Sequence, residues 1–170
     1  MTAEEIFARL KAHALEGMVF HDEMSRYYDF LGLTKYRDCQ RKHYEEETEG
    51  YICLNEYYMN HFGRFIPKSP MERPDVIPDS WYGYSRHDVD TGTKTSAVKT
   101  ATKKWVEWEK TTKDLYEELC GELLECGEVA AAHFVAKFVK DVDYELAEAS
   151  KEHIRLESVG YDLSLIISEQ

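Results

Sequence analysis

His21, His43, Glu47 and Glu109 are the residues whose types and positions carry chemical meaning. Each falls on the stripe of a long helical stretch where an apolar side chain is expected. A lone buried carboxylate costs on the order of several kcal/mol unless it is paired, protonated or bound to a metal. Imidazoles and carboxylates drawn inward from different helices are the ligand set that non-haem iron or manganese takes. Carboxylates neutralise the cation, and imidazole fills a terminal position while an acceptor holds its second nitrogen. Asp141 and Glu145, on the last long helical stretch, are the candidates to complete such a set. Tyr28 lies seven residues after His21, and Tyr116 seven after Glu109. Each shares its partner's helix face and offers a hydroxyl to a carboxylate of another helix, although the same spacing serves plain packing.

Four helical stretches must position these groups. The first, residues 3–31, has Thr2 and Glu5 in a capping-box pattern and a seam of Leu10, Ala14, Gly17, His21, Met24, Tyr28 and Leu31. Gly32 ends it, and Thr34 is the expected cap of the second, residues 35–61. That seam reads Tyr36, Gln40, His43, Glu47, Gly50, Leu54, Tyr57 and His61, half of it polar. A third stretch spans 94–124 with Trp105, Glu109, Thr112 and Tyr116 on its seam, and a fourth spans 128–158. Between them, residues 62–93 carry all four prolines and no helical period, but enough aromatic rings to pack on the helices. The turns after the first and third stretches are short, so each pair is an antiparallel hairpin. A connection of about 32 residues is long enough to cross the bundle and set the second and third helices parallel. The expectation is an all-α fold, one four-helix bundle over residues 1–170, with an apolar tail at 161–170 that docks on the bundle or on a neighbour.

Composition excludes several classes. Acidic residues outnumber basic ones 33 to 21, giving a formal charge of −12 with no dense Lys/Arg run, which argues against nucleic-acid binding. No uninterrupted apolar run is long enough to span a membrane, and the N-terminus lacks the pattern of an export signal, so a cytoplasmic protein is expected. Cys39, Cys53, Cys120 and Cys126 show no Cys-x-x-Cys spacing and read as small apolar side chains in a reducing compartment. His87-Asp88-Val89-Asp90 reads as a surface turn, and most of Glu45-Glu46-Glu47-Thr48-Glu49 as a solvated face. Phosphate loops, nucleophile elbows and dinucleotide fingerprints are not found.

The stretches YYDFLGL, KHYEEETEGYICL and VEWEKTTKDLYEEL give the chain a resemblance to the ferritin-like superfamily, the ferritin and rubrerythrin group, across all four helices. The resemblance implies two antiparallel hairpins joined by one long crossover. It also implies a Glu from the first and third helices and a Glu-x-x-His, or a variant of it, from the second and fourth. Glu109 matches the third-helix acid, and Glu46 or Glu47 the second-helix acid. No His follows either acid at the third place, and His21 stands where the first helix should give Glu. The fourth helix offers Asp141 and Glu145 without a His three residues on. Two readings stay open. In one, migrated histidines hold iron, di-iron or mononuclear, or manganese, and an active centre would oxidise ferrous iron or reduce dioxygen or peroxide. In the other, no metal is bound and the bundle is a binding or self-assembly module. Self-association as a dimer or larger is expected in both, and nothing specifies a storage shell.

Overall fold

A computed structural model describes residues 1–168 of the chain. It is all-α, with α1 at Ala3–Phe30, α2 at Thr34–Phe62, α3 at Thr91–Glu125, α4 at Val129–Ser158 and a short α5 at Leu163–Ser168. The Thr2 hydroxyl accepts from Glu5 N while the Glu5 carboxylate accepts from Thr2 N, so the expected capping box starts α1. Gly32 turns the chain at φ 79°, a left-handed value that glycine adopts without strain. The cap of α2 differs from expectation. Leu33 occupies the N-cap without a side-chain hydrogen bond, and Thr34 is already helical. Helix α3 also begins earlier than expected, because Asp90 caps it by accepting from Thr93 N and Oγ1, each at 2.9 Å. The last acid of the His87–Asp90 turn is therefore a helix cap.

Two apolar clusters fix the topology. One gathers Phe20, Met24, Tyr28, Leu33 and Tyr36 of the first hairpin with Val98, Trp105, Ala149 and Leu156 of the second. The other gathers Ile6, Phe7, Leu10, Leu54 and Tyr58 with Leu119, Leu123, Ala132 and Val135. Helix α1 runs from the second cluster to the first, α2 and α3 both run back, and α4 runs in the same direction as α1. Two antiparallel hairpins are thus joined with α2 and α3 parallel, which requires a connection along the whole bundle. That crossover, residues 63–90, buries Ile66 in one cluster and Val76 in the other. It is pinned to α1 by Arg73 on Glu23 and by Glu72 N on Glu16, and Trp81 meets the rings of Tyr27 and Phe30. The tail docks on its own bundle, with Leu163 and Ile166 buried in the first cluster. Glu169 and Gln170, the end of that expected tail, lie outside the described residues. Among the described residues no helix is long and apolar enough to cross a membrane.

Candidate metal centre

Between the two apolar clusters the bundle is polar on all four helices. Helix α1 contributes His21 and α3 contributes Glu109, both 0% exposed. Helix α2 contributes Gln40, His43 and Glu47, and α4 contributes Glu145 and Glu148. The two imidazoles stack with ring centres 5.1 Å apart, which links the α1–α3 side of the layer to the α2–α4 side.

His21 Nδ1 lies 2.8 Å from Gln40 Oε1, which assigns its hydrogen to Nδ1 and leaves a lone pair on Nε2. Nε2 has no hydrogen-bond partner and stands 3.6 Å from Glu109 Oε1, too far for a hydrogen bond. Burial drives the His21 ring to its neutral form, helped by the charge of His43, and its pKa falls to about 3. Glu109 Oε1 accepts from Trp105 Nε1 at 3.2 Å, and Oε2 has no partner. Burial raises the Glu109 carboxyl well above the ordinary range, and Glu145 and Glu47 add to the rise while His43 opposes it. Burial therefore favours the neutral form of both groups at the close approach of His21 and Glu109.

His43 behaves in the opposite way. Burial lowers its pKa, but Cys39 and Glu145 beside it reverse the effect and lift it to about 11. Its Nδ1 lies 3.5 Å from Glu46 and 3.7 Å from Glu145, and its Nε2 lies 3.9 Å from Glu148. Glu47 is pushed up to about 8 by burial and by the charge of Glu145. Gly17 makes room for that carboxyl: a Cβ there would sit 3.1 Å from Glu47 Cδ. These shifts favour a proton on His43 and on the buried carboxyls of the layer.

A cavity of about 520 Å³ opens from this layer between α2 and α4. His43, Glu47, Tyr116 and Glu145 line its inner part together with Leu10 and Val142, and Lys42, Glu46, Glu49, Asp141 and Glu148 line it as well. Asp141 is exposed on this wall, where burial against Glu145 raises its carboxyl. The Tyr116 hydroxyl feels Glu47, Glu145 and Glu109, and burial with these charges raises it well above its usual value. Tyr28 is placed elsewhere. It is buried in the first apolar cluster with its hydroxyl 3.3 Å from Thr102 Oγ1. His21, His43, Glu47, Glu109 and Glu145 thus come together, Tyr116 stands beside them, Asp141 lies on the cavity wall and Tyr28 is outside the group.

Cys39 and Glu148 were not among the sequence candidates for this layer. Cys39 precedes His43 by four residues and so shares its helix face, a spacing that was open to notice. Ligand atoms of Cys39, His43 and Glu148 lie within 4.8 Å of one another, as do those of His43, Glu46 and Glu145.

The backbone fold is similar to that of solved ferritins. An open-pore ferritin from the hyperthermophilic archaeon Archaeoglobus fulgidus superposes with a TM-score of 0.78, covering 98% of this chain and 93% of that one at 18% identity. A humanized archaeal ferritin gives 0.78 over 96% and 90% at 18% identity. An iron-soaked variant of PmFTN gives 0.73 over 96% of each chain at 14% identity. No protein-family profile matches the sequence, and curated protein sequences give no match. At these identities the likeness concerns the backbone, so the ligands must be argued from this chain's own residues.

Proposed function

We propose that this bundle binds iron or manganese in its polar layer, with His21, His43, Glu47, Glu109 and Glu145 as ligands and Asp141 on the cation's path. The observation that carries the reading is a set of buried polar atoms without partners. His21 Nε2, His43 Nδ1 and Glu109 Oε2 are all shielded from solvent and make no hydrogen bond. Such atoms are costly to bury, and a divalent cation would satisfy them. Ligand atoms of His43, Glu46 and Glu145 already lie within 4.8 Å of one another. The His21–Glu109 pair, 3.6 Å apart, would have to close on the ion from the other side. The donor set fits: His21 has the tautomer a ligand needs, fixed by Gln40 behind it, and Gly17 keeps the Glu47 carboxyl clear of α1. Similarity to ferritins, one of them soaked in iron, favours iron.

Bound iron would supply ferrous oxidation, with dioxygen or peroxide accepting the electrons. The protein's own part is to hold carboxyl groups and imidazoles at a dry centre and to release their protons as the cation arrives. Tyr116 stands on the cavity wall within the field of these carboxyls, whereas Tyr28 supports the neighbouring apolar cluster. The reading includes self-association, supported by large exposed apolar side chains such as Phe65, Tyr82, Tyr144 and Ile154, and sedimentation should show a dimer or larger. It also includes a reducing, cytoplasmic setting, which suits four free thiols.

Metal analysis of protein purified without a chelating tag tests the proposal. Stoichiometric iron or manganese is expected in the parent and its loss in Glu47→Ala and Glu109→Ala. Sub-stoichiometric metal in the parent, or metal retained by both variants, would overturn the assignment.

A further inference from the structure

The mouth of the α2–α4 cleft carries a ligand set of a different character from the inner layer. Cys39 and His43 project from consecutive turns of α2, at a spacing of four. Across the cleft, Glu145 and Glu148 project from one face of α4, at a spacing of three. Cys39 Sγ lies 3.9 Å from Glu148 Oε1, and His43 Nε2 lies 3.9 Å from Glu148 Oε2. Cys39 Sγ donates a long hydrogen bond to Glu148, and His43, only 5% exposed, has no hydrogen-bond partner on Nδ1, the ring nitrogen that faces Glu46 and Glu145.

We propose that Cys39, His43 and Glu148, with Glu145 beside them, form a second cation position that takes a borderline-soft divalent ion such as Zn²⁺ or Co²⁺ through a thiolate. The dimensions suit such an ion. Bonds of about 2.0–2.3 Å in a tetrahedral site put ligand atoms roughly 3.3–3.7 Å apart. One ligand atom from each of Cys39, His43 and Glu148 lies within 4.8 Å of the other two, so the three side chains would draw in by up to about 1 Å on the ion. Sulfur sets the selectivity, because thiolate and imidazole favour zinc, cobalt and ferrous ions while manganese and magnesium prefer oxygen alone. Of the four cysteines, Cys39 is the one whose sulfur lies near both an imidazole and a carboxylate. This position extends the metal-binding reading of the polar layer and rests on it, sharing His43 and Glu145 with the inner ligands.

Cobalt makes the sulfur visible. Metal-free protein titrated with Co²⁺ should develop a near-ultraviolet sulfur-to-cobalt charge-transfer band. The band should vanish in Cys39→Ser, weaken in Glu148→Gln and persist in Cys53→Ser, with helical circular dichroism unchanged in each. Zn²⁺ should displace this cobalt, and its preference over Mn²⁺ should fall roughly tenfold or more in Cys39→Ser. Cobalt bound without a sulfur band, or a band that survives Cys39→Ser, would overturn the thiolate position and leave the inner centre standing. Failure of cobalt, iron and manganese all to bind would overturn both.

Discussion

The two sides of the polar layer are built differently. On the α1–α3 side, His21 and Glu109 are wholly buried beneath Trp105, itself 0% exposed and in contact with both the first cluster and the Glu109 carboxyl. On the α2–α4 side the helices hardly approach each other, and α2 buries only Tyr36, Gln40, His43, Leu54 and Tyr58. The closed side packs its two polar side chains tightly, and burial favours their neutral forms. The open side carries the cavity and a charged imidazolium among carboxylates. A bundle that must hold an ion and also admit it needs both: packing to orient donors, and one loose seam for a hydrated cation to approach.

The sharpest way to break this contrast is to truncate one large ring on each side. Trp105→Ala should cost about 3–5 kcal/mol and lower the melting midpoint by roughly 10 °C. Tyr144, 74% exposed beside the cleft, should cost within about 0.5 kcal/mol as Tyr144→Ala. Equal losses in thermal melting would show that the α2–α4 side is packed as tightly as its counterpart.

Proton occupancy separates the sides next. Glu47 and His43 have pKa values raised in the fold, so each contributes stability that is lost as pH rises, through about 8 for Glu47 and about 11 for His43. His21 is depressed from 6.5 to about 3, so its contribution is present above 6.5 and lost as pH falls through 3. Above pH 6.5 the loss therefore comes from the open side, with Glu109, also raised by burial, adding to it from the closed side. Metal-free protein should melt roughly 5 °C lower at pH 8.5 than at pH 6.5, and Glu47→Gln should remove part of that slope. A midpoint that is flat or rising over this interval contradicts the proton-held layer.

The smallest expected effect comes from Gly17→Ala. Within α1 the substitution favours the helix by up to about 1 kcal/mol, yet its Cβ would press on the Glu47 carboxyl from 3.1 Å. Stability of the metal-free protein should hold or rise slightly while metal affinity falls roughly tenfold. Unchanged affinity in a metal titration would mean that Glu47 is not held where the layer needs it.

Helices and topology were legible because they rest on local signals. The fours-and-threes seams, Gly32 and the Cys126–Gly127 turn mark two hairpins, and a proline-bearing connection must then cross the bundle. Helix starts were less legible, since Asp90 caps α3 from within a charged turn and Leu33 takes the place Thr34 was expected to fill. His21, His43, Glu47 and Glu109 stood out as polar residues on apolar seams. Glu148 and Cys39 did not, because Glu148 falls among the acids of an exposed-looking face and Cys39 reads as a small apolar side chain, while Glu46 was picked out only as an alternative to Glu47. Only the gap between α2 and α4, a property of how the hairpins pair, turns those faces toward one another.

The central claim, that the polar layer is a cation site, is tested most directly by the melting midpoint of metal-free protein with and without ferrous or manganous ion under anaerobic conditions. Ion at a hundredfold excess over its dissociation constant adds about 2.7 kcal/mol to the native state and should raise the midpoint by roughly 5–10 °C. The rise should largely disappear in Glu109→Gln. A midpoint indifferent to both ions in the parent, or the same rise in the variant, would contradict the account.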